Sequence, residues 1–125
     1  MIKRILFIGV GGFVGSIARY FISKLNLYYV FLDIPIGTLT VNITGSFVIG
    51  LLTGISNKSA ILSSDVRLLL MVGLCGGFTT FSTFTSENLT LMHNGQFLSV
   101  FLYTGLSILL GFVAVYFGYV TSNLL

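Results

Sequence analysis

Apolar residues fill four long stretches of the chain, and short polar or turn-forming segments separate them. A helix needs about 20 apolar residues to cross the hydrocarbon core of a bilayer. Pro35 stands directly before the second stretch, where its missing N–H costs a helix nothing. The pattern therefore predicts four transmembrane helices, over about residues 5–22, 36–55, 67–94 and 97–120.

The composition supports an integral membrane protein with a single domain over residues 1–125. The chain is 55% hydrophobic and 7% charged, with a mean hydropathy of +1.05, whereas soluble domains carry about 25% charged residues. A net charge of +3 is too sparse for a nucleic-acid surface. The only cysteine, Cys75, excludes an intrachain disulfide. No acid–base pair, nucleophile arrangement or nucleotide motif points to an enzyme.

The first predicted helix has two interpretations. Lys3 and Arg4 before an apolar run resemble the start of a signal peptide. Gly11 and Gly15 instead form a GxxxG face for close packing, which favours a retained helix. Arg19 near its end is either a side chain reaching the membrane interface or a cation at a pore mouth.

The third predicted helix carries an unusual polar stretch inside its apolar run. Gly76 and Gly77 weaken the helix there, so a break is predicted near Gly76–Thr79. A broken helix frees backbone groups at mid-membrane depth, as discontinuous transporter helices do at their ion sites. Phe81 and Phe84 then share one helical face. The stretch predicts an ion site, and a glycine-rich packing interface is the alternative.

The second predicted helix has a polar stripe. Thr38, Asn42 and Ser46 recur every four residues and therefore share one face. Asn42 has two amide N–H donors, which must find partners inside a bilayer. The stripe indicates either interhelical hydrogen bonds or donors that face an anion path.

The fourth predicted helix has Tyr103 and Ser107 one turn apart, with Gly111 one turn further on. Hydroxyls bonded to their own helix would explain this pattern without any function. Glu87, near the far end of the third helix, is expected to lie shallow enough to reach water.

Three motifs resemble those of the Fluc/CrcB fluoride channels. They are Gly12-x-x-Gly15-x-x-x-Arg19-Tyr20, then Gly37-Thr38-Leu39-x-Val41-Asn42-x-x-Gly45-Ser46-Phe47, and Gly76-Gly77-Phe78-Thr79-Thr80-Phe81-Ser82-Thr83-Phe84. The match covers three of the four predicted helices in order. Its third motif is highly specific.

The resemblance implies an antiparallel, dual-topology dimer with two fluoride pores in the bacterial cytoplasmic (inner) membrane. Such a channel lets fluoride leave the cell passively and so reduces its toxicity. It also implies a structural Na⁺ at the dimer centre, not transported, held here by the backbone carbonyls of Gly76 and Thr79. The implied pore residues are Asn42, Phe81, Phe84, Tyr103 and Ser107, to which the hydroxyls of Thr38 and Thr80 and the pore-mouth Arg19 are added. Gly111 departs from the family pattern, which often has a third hydroxyl there.

Two other functions remain open. A dual-topology, proton-coupled drug antiporter has a similar size, but it needs a deep acidic residue, which the first two helices lack. A non-conducting assembly subunit would not need polar stripes on three helices. The chain pairs either with itself or with a paralogue, and the expected partners are otherwise fluoride and membrane lipid.

Overall fold

The chain forms an almost entirely helical bundle. The computed structural model describes residues 1–28, 30–58 and 60–125, with Val30 described by its backbone alone. The α-helices are α1 (Ile2–Ser23), α2 (Ile36–Lys58), α3 (Ser64–Arg67), α4 (Gly76–Phe78), α5 (Phe81–His93) and α6 (Phe97–Ser122). Leu68–Cys75 is a π-helix that joins α3 to α4.

Among the described residues, four segments are long and apolar enough to cross a membrane, which confirms the predicted all-helical membrane architecture. They are Ile2–Leu27, Ile36–Lys58, Ser64–His93 and Phe97–Ser122. The second helix continues past residue 55 through polar residues to Lys58. Apolar patterning marks the part of a helix that lipid covers, whereas backbone hydrogen bonds carry the helix beyond it.

The third span, Ser64–His93, is interrupted just after its paired glycines. Gly76 and Gly77 are helical, and Thr79 (φ −80°, ψ 156°) and Thr80 (φ −150°, ψ 121°) are extended. The Thr80 hydroxyl then accepts the N–H of Thr83 and caps α5. The chain thus leaves the helix at two threonines, the second of which starts the next helix.

The glycines of the third span serve close packing against α1. A Cβ at Gly77 would stand 2.6 Å from the carbonyl oxygen of Gly12, and one at Gly73 would stand 2.7 Å from that of Ile8. Because real Cβ contacts are longer, only glycine allows the two backbones to approach this closely. Gly76 differs, since a Cβ there would meet nothing within 4 Å.

The link between α1 and α2 is short but structured. A 3₁₀ turn, Lys24–Leu27, precedes an antiparallel hairpin whose strands are β1 (Val30–Phe31) and β2 (Ile34–Pro35). The side-chain oxygen of Asn26 accepts the N–H groups of Gly37 (2.6 Å) and Thr38 (3.3 Å). Asn26 therefore caps α2 from eleven residues upstream, at a helix end whose amides have no partner within the helix.

Candidate functional site

The break in the third span opens on a cavity of about 450 Å³, called the main cavity below. Residues of α2, of the third span on both sides of its break, and of α6 line it. Seven of the predicted site residues are among them: Asn42, Gly76, Thr79, Thr80, Phe81, Phe84 and Ser107. Thr38, Tyr103 and Arg19 are not among its lining residues.

Asn42 holds the break in place. Its amide nitrogen donates to the Thr80 carbonyl (3.0 Å), and its amide oxygen accepts the Thr80 N–H (2.8 Å). Thr80 is 8% exposed, so its backbone groups would otherwise be buried without partners. These two hydrogen bonds form a clamp between Asn42 and the Thr80 backbone. An asparagine has two N–H donors, so the second N–H of Asn42 takes no part in the clamp.

The same contacts release two backbone carbonyls. In a continuous α-helix the Gly76 carbonyl would accept the Thr80 N–H, and the Thr79 carbonyl would accept the Thr83 N–H. Here the Thr80 N–H donates to Asn42, and the Thr83 N–H donates to the Thr80 hydroxyl. Gly76 and Thr79 both line the main cavity. Carbonyl oxygens are ligands that hard cations prefer, so their chemistry fits the Na⁺ that the resemblance implies.

The two phenylalanines of α5 lie side by side at the cavity. Their ring centroids are 5.8 Å apart, and Phe81 is 77% exposed whereas Phe84 is half-buried. The Phe84 ring meets the Tyr103 ring edge to face, with centroids 5.0 Å apart. Because the rim of an aromatic ring is electropositive, such rings can present favourable edges to an anion.

Thr38 and Tyr103 both bond to Glu87, a residue that the sequence analysis did not include in the candidate site. The Thr38 hydroxyl donates to Oε1 of Glu87 (2.6 Å), and the Tyr103 hydroxyl donates to Oε2 (3.0 Å). Both hydroxyl residues are fully buried, and Glu87 is half-buried. The signal that could have found Glu87 is its type, since an acid inside a span is rare and usually functional.

Ser107 and Gly111 lie along α6 beside α2. The Ser107 hydroxyl oxygen is buried and has no hydrogen-bond partner among the described residues, so it is not bonded to its own helix. A Cβ at Gly111 would lie 3.8 Å from the hydroxyl oxygen of Ser46. Ser46 also lines the main cavity. A hydroxyl from α2 therefore lies close to the position where α6 lacks one.

Arg19 lies near the end of α1 and is half-buried. It does not line the main cavity, and it makes none of the hydrogen bonds that join Glu87 to Thr38 and Tyr103. The structure therefore favours neither its interfacial nor its pore-mouth interpretation.

The four spans found among the described residues, one of them broken beside the main cavity, define a multi-pass membrane protein with a candidate ion site. A family model described as "CrcB-like protein, Camphor Resistance (CrcB)" matches residues 6–119. The chain belongs to this CrcB-like family, as its motifs predicted.

Its relatives resemble it over nearly their full length. A protein of Azobacteroides pseudotrichonymphae genomovar. CFP2 is 39% identical over 123 residues, which cover 98% of both chains. One of Chlorobium chlorochromatii is 41% identical over 96% of this chain and 92% of its own. One of Gloeothece citriformis is 44% identical over 92% of this chain and 93% of its own. Each is named "Fluoride-specific ion channel FluC".

Proposed function

We propose that this chain forms a fluoride-selective channel of the bacterial cytoplasmic membrane, through which fluoride leaves the cell passively, and that it is not an enzyme. The names of its relatives support this function. The observation that carries it is the main cavity, where an asparagine amide, a buried free hydroxyl and two phenylalanine rings lie beside a helix break.

The physics of fluoride permeation fits these groups. Fluoride is small and strongly hydrated, so a narrow pore must replace lost waters with hydrogen-bond donors. The second N–H of Asn42 and the unpartnered hydroxyl of Ser107 are such donors. Phe81 and Phe84 add ring edges. In this proposal Thr80, Tyr103 and Thr38 extend the polar path, Ser46 stands in for the hydroxyl missing at Gly111, and Arg19 attracts anions at the mouth.

The functional unit in this proposal is an antiparallel dimer, of two identical chains or of this chain with a paralogue. Gly76 is exposed and has open space around it, and Phe81 is largely exposed. An open polar break cannot face lipid, so a partner subunit is needed to cover it. A Na⁺ held between subunits by the carbonyls of Gly76 and Thr79 would satisfy oxygens that the helix leaves unpaired and would link the two subunits.

Flux from proteoliposomes tests the function. Purified protein is reconstituted with fluoride, chloride or a cationic drug inside the vesicles, and efflux of each is followed. We expect fluoride efflux without chloride or drug efflux, and a lower fluoride rate when a bulky organic cation replaces Na⁺. Equal efflux of fluoride and chloride would exclude a selective channel, and proton-linked drug efflux would indicate an antiporter. Fluoride flux that needs no Na⁺ would remove only the sodium proposal.

A matched pair of variants locates the path in the same assay. Phe81→Ile and Phe101→Ile each replace a ring that is at least three-quarters exposed, on α5 and α6 respectively. Only Phe81 lines the main cavity. We expect Phe81→Ile to reduce fluoride flux about fivefold, since a favourable ring edge contributes about 1 kcal/mol, and Phe101→Ile to leave it unchanged. Equal flux in both variants would mean that the path does not pass Phe81.

A further inference from the structure

The carboxylate of Glu87 accepts hydrogen bonds from two buried hydroxyls. Thr38 accepts a hydrogen bond from the Asn26 amide (3.2 Å), so its own proton is directed to Glu87. Tyr103 donates to the other carboxylate oxygen. A hydroxyl has one proton to donate. While Glu87 accepts these two bonds, neither hydroxyl can donate to a passing anion.

Glu87 also lies between the main cavity and two further clefts of the protein. On one side it bonds Tyr103, whose ring packs against Phe84 at the main cavity. On the other side it lines two clefts, of about 320 and 300 Å³, together with Asp33 and Pro35. An anion that moved from the main cavity past Tyr103 towards these clefts would meet the carboxylate.

We propose that Glu87 is a tethered anion that competes with fluoride for the hydroxyl protons of Tyr103 and Thr38. This inference rests on the proposed fluoride channel and adds a specificity-determining residue to it. An anion can pass only if the two hydroxyls donate to it in preference to the carboxylate of Glu87, so it must be a strong hydrogen-bond acceptor. Fluoride, small and with concentrated charge, can do so, and larger halides cannot. Glu87 thus sets the fluoride concentration at which the path fills and helps to exclude chloride.

The test compares fluoride flux across a range of concentrations in three variants. Glu87→Gln keeps the size of the side chain but offers only one acceptor oxygen and no charge. Glu87→Asp keeps the charge but withdraws it from both hydroxyls by one methylene. Asp33→Asn removes a charge from the same clefts without touching either hydroxyl.

We expect the half-saturating fluoride concentration to fall about threefold or more in Glu87→Gln and to fall in Glu87→Asp, since one freed hydrogen bond corresponds to a change of this size. The ratio of chloride to fluoride flux should rise in Glu87→Gln. Asp33→Asn should match wild type. The unfolding temperature of each variant in detergent, with fluoride or chloride added, reports anion binding where flux is low.

The outcomes separate this inference from the proposed function. Wild-type protein that passes no fluoride would overturn both. Wild-type flux with an unchanged or higher half-saturating concentration in the Glu87 variants would overturn the competition alone. An equal change in Asp33→Asn would show a general effect of charge in the clefts and would also overturn it. If Glu87→Gln fails to fold, Glu87→Asp decides the question by itself.

Discussion

Asn42 shows how far a single residue can be understood from sequence. Its type and its place in an apolar span predict that its amide needs partners, and the structure supplies them. The partner is the backbone of Thr80, 38 residues away. Spacing along one helix cannot reveal such a contact, because it depends on how two helices meet.

The contact gives Asn42 a structural role beside its proposed role as a fluoride donor. We expect Asn42→Leu to abolish most fluoride flux and also to lower the free energy of unfolding by about 1–3 kcal/mol, since it leaves the buried backbone groups of Thr80 unpaired. Thermal unfolding in detergent, measured beside flux, checks both effects. Thr44→Leu, an exposed position on the same helix, is the control and should match wild type. Lost flux at unchanged stability would contradict the clamp.

Glu87 and Ser46 show what the sequence could not reveal about single residues. Sequence placed Glu87 within reach of water, which stays a prediction, but it did not reveal the contacts of Glu87 with the hydroxyls of Thr38 and Tyr103. Ser46 belonged to a predicted polar stripe on α2, but its proximity to Gly111 on α6 was not foreseen. In both cases the residue type was informative, and the missing knowledge was which helices are neighbours.

At the scale of elements, the four spans were predictable because apolar length is a physical requirement of the bilayer. Finer features were not. The π-helix Leu68–Cys75 consists mostly of apolar residues whose pattern carries no signal for helix type. The hairpin before α2 depends on two non-glycine residues with positive φ, Leu32 (52°) and Asp33 (57°), a conformation that leucine rarely adopts.

The break in the third span was predicted at Gly76–Thr79, and the chain leaves the helix at the end of that range. The glycines were expected to weaken the helix, with close packing as the alternative, and Gly77 fits the alternative. They are helical, and Gly77 allows contact with α1, whereas the cap of α5 comes from Thr80. The glycines therefore indicated the right region of the chain, although Gly77 is needed for packing against α1 and the break itself lies at Thr79 and Thr80.

The two adjacent glycines make a matched pair of variants. We expect Gly77→Ala to destabilise the subunit by about 1–3 kcal/mol, because its new methyl group would meet the backbone of Gly12 at 2.6 Å. Gly76→Ala has open space within the subunit, so the subunit should fold normally. If a partner subunit and Na⁺ cover Gly76, this variant should instead dimerise less and lose the Na⁺ dependence of its flux.

Unfolding in detergent and counting of fluorescently labelled subunits in liposomes check these two expectations. Gly9→Ala, on α1 with nothing within 4 Å of the added methyl group, is the control for a glycine replaced in a helix. A stable Gly77→Ala would contradict the packing argument. Normal dimers with normal Na⁺ dependence in Gly76→Ala would place the subunit contact elsewhere.

At the scale of the whole molecule, several basic residues make contacts between helix ends. If the four spans alternate in direction, one end of the bundle carries Lys3, Arg4, Lys58 and Arg67, and the other carries Arg19 and Lys24. At the first end Lys3 pairs with Asp65 (2.7 Å), and Lys58 donates to the Ser122 carbonyl (2.8 Å). Arg67 donates to the carbonyls of Leu62 and Ser56. These side chains therefore hold helix ends together, and we expect them to bias the orientation of the chain as well.

Orientation in the membrane is the last prediction. Lys and Arg are retained in the cytoplasm, so four positive charges against two favour the end that contains Ala60 inside. An antiparallel dimer of identical chains needs both orientations in comparable amounts. We therefore expect mixed topology with a detectable excess of chains whose Ala60 is cytoplasmic. Ala60→Cys and Asn94→Cys, each in a Cys75→Ala background, place one exposed cysteine at either end of the bundle.

An impermeant thiol reagent applied to intact cells measures the fraction of each cysteine outside. The two fractions should be complementary, with Ala60→Cys labelled in fewer than half of the chains and Asn94→Cys in more than half. Equal labelling of both would contradict the charge bias, because the basic side chains would then serve helix contacts alone. Complete protection of Ala60→Cys would contradict a dimer of identical chains, because every chain would insert the same way and the antiparallel partner would have to be a paralogue.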